Sequence, residues 1–285
     1  MTELVETPVA VRRTGVGRVE AEPAVATPRL SVVVPAYHDG AHIVGGIERL
    51  TAALVSTRLS WEVIVVVDGD EATYRAAAPL RSQHVTVVGY AVNRGKGFAL
   101  RYGISLAAGE LVTFIDSDME VGPEEIGRMA RLLELYEADV VVGSKRHPLS
   151  VVSYPRVRRF QSLVYQVILR GLFRVRVRDT QTGLKMMRRE VAARVIEVAL
   201  VKRFAFDLEL LVLARHFGYG RIIEAPVHIE YSFRSTTNVR AVIWVLWDTA
   251  AIFYRLRLRR WYDRAASAEE SKPQPVGVEA PFVGG

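Results

Sequence analysis

The chain predicts an α/β fold, a mostly parallel central sheet with helices on both sides, and three observations carry that expectation. Short runs rich in Val and Ile alternate with helix-length amphipathic stretches. Those runs are apolar on both faces, as strands covered from both sides must be. Unusual polar and glycine residues cluster where the runs end, and ligands of such sheets bind beyond the carboxyl ends of the strands.

Taken in order, Leu30 to Pro35 is the first strand, followed by Pro35-Ala36-Tyr37 and a helix from Ala41 to Ser56. Val63 to Val67 is the second, ending at Asp68-Gly69-Asp70, with a helix from Ala72 to Arg81. Val85 to Val88 is the third; Gly97 to Ala108 is the helix after it. Leu111 to Ile115 is the fourth, running into Asp116 and Asp118. The helix Glu124 to Ala138 starts after Pro123, a residue suited to a first helical turn, and Val140 to Val142 is the fifth strand.

Of the 285 residues half are hydrophobic, enough for one well-cored domain with extras. There is no cysteine, so neither a disulfide framework nor a thiolate metal site exists, which fits a reducing compartment. Residues 1–28 contain no continuous apolar stretch of the secretory kind and read as a flexible tail, as do residues 265–285. The α/β domain is expected over 29–232 and an amphipathic region over 233–264. Between Lys145 and Arg189 stand twelve Lys or Arg and one acid, so the formal charge of +7 is concentrated in one patch. Nucleic acid, an anionic membrane or a phosphorylated substrate would each suit it.

The segment Leu111 to Glu120, LVTFIDSDME, reads as a buried strand running into two carboxylates. In a continuing strand Asp116 and Asp118 would share a face. Hard oxygen ligands suit Mg²⁺ or Mn²⁺ bridging phosphates. Alone, the pair equally suits a solvated turn or a helix cap before Pro123. Neither the glycine fingerprint of dinucleotide-binding domains nor a P-loop is present. The nearest phrase, Asn93-Arg94-Gly95-Lys96-Gly97, would let a ligand approach the backbone closely or simply start a helix.

Seven phrases, VVVPAYHDG, EVIVVVDGD, NRGKGFALRYG, FIDSDME, VVGSK, DTQTGLKMMRRE and RFAFDLELL, follow one another between Arg29 and Tyr231. In this order and spacing the chain resembles the GT-A glycosyltransferases of family 2. Within that family it resembles the dolichyl-phosphate (polyprenyl-phosphate) β-glucosyltransferases and dolichol-phosphate mannosyltransferases. DTQTG and RFAFDLELL look more like the glucosyl branch, and Glu120 after the Asp pair more like the mannosyl one.

The resemblance implies a nucleotide-sugar site in which Asp68 accepts from the base and Pro35, Ala36, Tyr37 and Asp39 line its pocket. Lys96, Asp116 and Ser117 would sit toward the ribose and diphosphate. Asp118 would be the catalytic metal holder and Glu120 a further metal ligand, for Mg²⁺ or Mn²⁺; the other reading of Glu120 is an acid favoured at a helix start. The family usually has Asn-Glu after the tyrosine and a second Asp before the base-binding one. This chain has His38-Asp39 and Val67.

Lys145, Arg158 and Ser162 match positions that hold an acceptor phosphate, with lysine standing where arginine is usual, a point charge instead of a bidentate fork. Asp207 matches an acid near the acceptor, an orienting or weakly basic residue, or else a helix cap. Arg170, Arg174, Arg176 and Arg178, interleaved with Leu172, Phe173, Val175 and Val177, fit a surface touching apolar chains and anionic headgroups.

Val239 to Tyr254 would be roughly 24 Å long as a helix, short of the ~30 Å hydrocarbon core, and Asp248 interrupts it. It is therefore not expected to span a membrane. Trp244, Trp247, Ala251, Tyr254, Leu258 and Trp261 recur on one stripe beside Arg255, Arg257, Arg259 and Arg260. Such a helix suits the headgroup region, or packing on its own domain or a second subunit of a homo-oligomer.

The expected protein is thus a peripheral enzyme on the cytoplasmic face of a membrane. It moves a hexose from UDP-glucose, or alternatively GDP-mannose, to polyprenyl phosphate with inversion; transfer to a saccharide or glycolipid hydroxyl is the other enzymatic reading. A nucleic-acid binder would leave the ordered carboxylates without a use, and the intact Asp-Ser-Asp argues against a silent scaffold.

Overall fold

The computed structural model describes residues 27–151, 169–175, 177–201, 205–229 and 239–269, excepting the side chains of 239–245 and 268–269. Its centre is a seven-stranded sheet of order β3-β2-β1-β4-β6-β5-β7. The parallel half holds β1 (Leu30–Ala36), β2 (Trp61–Asp68), β3 (Val85–Tyr90) and β4 (Leu111–Phe114). In the other half β6 (Lys185–Arg188) runs antiparallel between β4 and β5 (Val140–Ser144), and β7 (Ile222–Pro226) lies parallel to β5 at the edge.

The side-chain alternation of a strand divides the apolar residues between two cores. Val33, Val66, Phe114, Val142 and Met187 enter one, and Val32, Val65, Leu111, Val141 and Met186 the other. Every residue of β1, β4 and β5 is buried, which is why these runs carry no polar alternation. Pro35 is tolerated in this central strand because β4 pairs only with Leu30 through Val33. Its missing N–H falls where that ladder has ended.

Helix α1 (Ile43–Thr57) buries Ile43, Ile47, Leu50 and Leu54 at helical spacing. The expected helix from Ala72 to Arg81 divides: α2 (Glu71–Ala77) gives way at Pro79 to a 3₁₀ turn, Ala78–Leu80. Asp70 caps α2, its Oδ2 accepting from Thr73 N at 3.1 Å. Next come α3 (Lys96–Leu106), α4 (Glu125–Leu135), α5 (Arg189–Val198) and α6 (Phe206–His216). Every residue of α6 from Phe206 to Ala214 is buried.

The C-terminal chain forms α7 (Val239–Phe253), a π-helical turn at Tyr254–Leu258, and α8 (Trp261–Glu269). Among the described residues no helix is long and apolar enough to cross a membrane. Of the expected stripe, Trp247, Tyr254 and Leu258 are exposed and Ala251 and Trp261 half-buried, while the side chain of Trp244 lies outside the described residues. Leu246 is exposed as well, whereas Ile252 and Tyr262 are fully buried. Arg255 points inward, its guanidinium 3.2 Å from the buried carboxylate of Glu209. Phe173, Val175 and Val177 likewise lie in the core instead of at a lipid-facing surface, with the Phe173 and Phe253 rings 6.2 Å apart.

Glu209 fastens these helices to the domain. It accepts from Tyr262 Oη at 2.6 Å, Arg255 at 3.2 Å, and the backbone N–H groups of Leu200 and Val201 at 2.9 and 2.7 Å. Burial nevertheless pushes its carboxyl up from the ordinary range, the hydrogen bonds opposing. Tyr262→Phe removes one donor from this enclosed acid and is expected to destabilise by about 1–3 kcal/mol. An unchanged midpoint in urea denaturation would show that the hydroxyl contributes nothing.

Candidate active site

The site lies beyond the carboxyl ends of β1, β2 and β4, where three loops leave the sheet side by side. Pro35 and Ala36 end β1, and Tyr37 follows with 47% of its surface exposed. The loop is tied to the next one: Asp39 N donates to Thr73 Oγ1 at 2.9 Å, Thr73 bonds Asp70, and His38 Nδ1 stands 3.4 Å from Asp70 Oδ1. Asp70 is held below the ordinary carboxylate range, chiefly by the Thr73 hydroxyl against a smaller cost of burial.

Asp68 is the last residue of β2 and is buried. Its two oxygens accept from Arg94 N at 2.6 Å and Gly95 N at 2.8 Å. The carboxylate therefore builds the loop that carries Lys96, whatever else it meets. Gly69, at φ 69°, is required here: a Cβ would overlap the backbone of Val92 and Asn93. Arg94 then lies over the Phe98 ring, 4.7 Å from its centre.

Lys96 is the first residue of α3 and faces the loop after β4. Its Nζ is 2.6 Å from Asp116 Oδ1 and 3.5 Å from Asp207 Oδ2. Burial works against its charge, but Asp116 and Asp207 outweigh that and hold the ammonium pKa above its usual value. Asp116 keeps 39% of its side-chain surface open, yet the protein crowding it still works to raise its pKa. The Lys96 charge overcomes this and holds the group below its ordinary range.

The expected continuing strand is absent. β4 ends at Phe114, and the chain turns with Met119 N bonded to Asp116 O at 3.0 Å and Met119 at φ 48°. Asp116 and Asp118 are brought together by this turn, with Ser117 between them, and not by a shared strand face. Asp118 accepts from Glu120 N at 3.1 Å, and among the described residues no cation pairs with it. Burial raises its pKa, and the nearby carboxylates Asp116 and Glu120 add to that.

On the other side Glu120 Oε2 receives Lys145 Nζ at 2.6 Å. The Lys145 N–H is in turn fixed by Asp179 Oδ2 at 3.1 Å, an oxygen that also accepts from Thr182 Oγ1 at 2.5 Å. Lys145 thus stands beside the Asp118 turn. Arg158 and Ser162 lie outside the described residues, as does Arg176. Asp207 is in the first turn of α6, beyond its N-cap Ala205, so it is not the capping residue.

Lys185, on β6, was not among the expected site residues. It is fully buried and donates to Asp207 Oδ1 at 2.6 Å. Its one signal in the sequence is a lysine set among Leu184, Met186 and Met187, apolar neighbours that a solvated lysine does not need. Gly183 just before it lets β6 approach the turn, since a Cβ there would overlap the Asp116 carboxylate.

Among the described residues no group of three or more His, Cys, Asp or Glu stands close enough to hold a divalent ion alone. Asp116 and Glu120 are engaged by lysines, while Asp118, its carboxyl raised by burial, makes no ion pair among the described residues, although Lys145 is near enough to oppose that rise. Such a site fits Mg²⁺ or Mn²⁺, which take one or two carboxylates and fill the remaining positions with substrate phosphates and water.

A mostly parallel sheet with a lysine loop and a carboxylate turn at its strand ends is an arrangement suited to holding a nucleotide diphosphate. Residues 31–196 match the model of glycosyl transferase family 2, and the chain belongs to that family. Human dolichyl-phosphate β-glucosyltransferase is 28% identical over 254 residues, 81% of this chain and 76% of the relative. The mouse protein of that name is 30% identical over 70% of this chain and 68% of its own length. Among solved structures, glucosyl-3-phosphoglycerate synthase of Mycobacterium tuberculosis, in complex with Mn²⁺, UDP and glucosyl-3-phosphoglycerate, superposes with a TM-score of 0.61. Identity is 20% and coverage 80% of both chains. Mannosyl-3-phosphoglycerate synthase of Rubrobacter xylanophilus gives 0.61 at 17% identity, covering 88% of this chain and 79% of the other. These likenesses establish the shared fold.

Gly183→Ala tests whether the Asp116 turn works as placed. The added methyl displaces the carboxylate, and kcat/KM for nucleotide-sugar turnover is expected to fall about 10²-fold, the scale of small misplacements at a reacting centre. Full turnover in this variant would put Asp116 outside the working site.

Proposed function

We propose that the protein transfers glucose from UDP-glucose to polyprenyl phosphate with inversion, working as a peripheral enzyme at the cytoplasmic face of a membrane. The observation that carries the acceptor assignment is the state of Asp207. Its two oxygens already face ammonium groups, Lys185 at 2.6 Å and Lys96 at 3.5 Å. A substrate hydroxyl seeking a base would meet a carboxylate that two ammonium groups already neutralise and that keeps only 3% of its side chain open. A phosphate monoester, with a second pKa of about 6, is largely ionised at neutral pH and brings its own nucleophilic oxygen. The names of the human and mouse relatives support the glucosyl and lipid-phosphate reading.

In this reading a phosphate oxygen attacks the anomeric carbon, the bond from that carbon to the donor diphosphate breaks, and nucleoside diphosphate leaves. Lys96 faces the leaving group and offsets its growing charge. Lys145 receives the acceptor phosphate, exchanging Glu120 for it. Pro35, Ala36, Tyr37 and Asp39, with the loop built on Asp68, border the nucleoside. Asp118, assisted by Glu120 once released, would hold Mg²⁺ or Mn²⁺, which supplies charge neutralisation at the diphosphate.

The membrane placement draws on the C-terminal helices. Trp247, 70% exposed, and the exposed Tyr254 and Leu258 accompany the exposed Arg257, Arg259 and Arg260, a pairing of apolar and cationic groups suited to headgroups. Each of Trp247→Ser and Leu258→Ser is expected to weaken sedimentation with anionic vesicles about tenfold, from the apolar area each buries. Binding unchanged in both would remove this face from the interface.

The deciding assay follows radiolabel from UDP-glucose or GDP-mannose into polyprenyl phosphate in detergent with Mg²⁺ or Mn²⁺. Label is expected in the lipid phase from UDP-glucose, blocked by EDTA, and reduced about 10³-fold in Asp118→Ala. Label from GDP-mannose alone would reassign the donor; label entering a glycolipid hydroxyl instead would reassign the acceptor.

A further inference from the structure

Lys185 has no place in the reading above beyond its bond to Asp207. Its side chain is completely buried. The antiparallel register of β6 sets it opposite Phe114, over whose ring the ammonium lies 5.5 Å from the centre. Nζ donates to Thr182 O at 2.5 Å and to Asp207 Oδ1 at 2.6 Å. An ammonium in an apolar interior is tolerated only when paired and hydrogen-bonded, and this one is both.

The pair continues outward. Asp207 Oδ2 is 3.5 Å from Lys96 Nζ, and the same Nζ is 2.6 Å from Asp116 Oδ1. Two lysines and two aspartates therefore alternate from the floor of the site to its mouth, neutral in sum. The members differ in access. Lys185 and Asp207 are enclosed, whereas Lys96 and Asp116 keep 18% and 39% of their side chains open.

We infer that Lys185 is a positioning residue for donor binding: by neutralising Asp207 from beneath, it leaves the Lys96 ammonium at the mouth of the site for the diphosphate of the donor. The inference rests on the nucleotide-sugar reading proposed above. Among the described residues Asp207 has no cation besides these two lysines. Remove Lys185, and the enclosed carboxylate has Lys96 alone to balance it. Coulomb attraction in that low-dielectric pocket then draws the flexible lysine stem inward, away from Asp116 and from any ligand. Neutralising Asp207 as well takes away the inward pull.

The test measures UDP and GDP binding with Mg²⁺ by calorimetry to the wild type, Lys185→Met and the double variant Lys185→Met/Asp207→Asn. Lys185→Met is expected to weaken nucleotide binding about tenfold or more, the loss of one charge-assisted contact. The double variant should return to within about threefold of the wild type, because the two changes couple through Lys96. In transfer assays Lys185→Met should raise the donor KM while leaving the acceptor KM at saturating donor unmoved. Wild-type affinity in Lys185→Met, or a loss that the double variant shares, overturns the inference alone. A wild type that binds neither UDP nor GDP overturns the donor reading and the inference with it. Should Lys185→Met not fold, Lys185→Gln, which keeps a hydrogen bond to Asp207 without the charge, is measured against the same outcomes.

Discussion

Placing charge at the rim of a sheet that is apolar on both faces is a demanding task, because every ionised group not in water needs a partner close by. In this protein the Lys96–Asp116 pair meets that demand at the point where β4 ends and α3 begins. Much of the site is arranged around it. Asp68 organises the loop that delivers Lys96, Gly183 clears room for the Asp116 carboxylate, and Asp207 shares the lysine from the side of α6. The apolar cores on either side of the sheet supply rigidity; the ion pairs supply direction.

The two halves of the sheet contribute differently. The parallel half brings loops with glycines and small side chains, suited to letting a nucleotide lie against backbone. The half containing β5, β6 and β7 brings cations, with Lys145 following β5 and Lys185 within β6. β6 is the hinge between these contributions, since it pairs with β4 on one side and β5 on the other. In the proposed reaction donor and acceptor would meet across this one short strand.

Much of this was legible from the chain. The first five strands announced themselves as Val and Ile runs, and their ends carried the residues that the fold gathers. β6 was not legible, because Lys-Met-Met-Arg is four residues long with a charge at each end and depends on its neighbours for strand geometry. Lys185 was hidden with it, counted in a basic patch although it is interior. β7 is an edge strand of five residues, mostly half-buried, and has no strong alternation to read. Arg255 misled for a related reason: helical spacing places it among surface arginines only if the helix continues in phase. The π-helical turn breaks that phase, and no residue between Tyr254 and Leu258 advertises it.

That turn carries an evolutionary consequence. A single π-helical turn accommodates one residue more than an α-helical turn, and each residue of a helix advances the chain by roughly 100°. The aim of Tyr262 at Glu209 is thus set by the number of residues after α7 more than by their kinds. Substitutions between 254 and 258 should drift freely at the outward positions, while insertion or deletion of a single residue there rotates everything that follows. A surface segment beyond the family match is then constrained in length while remaining loose in spelling.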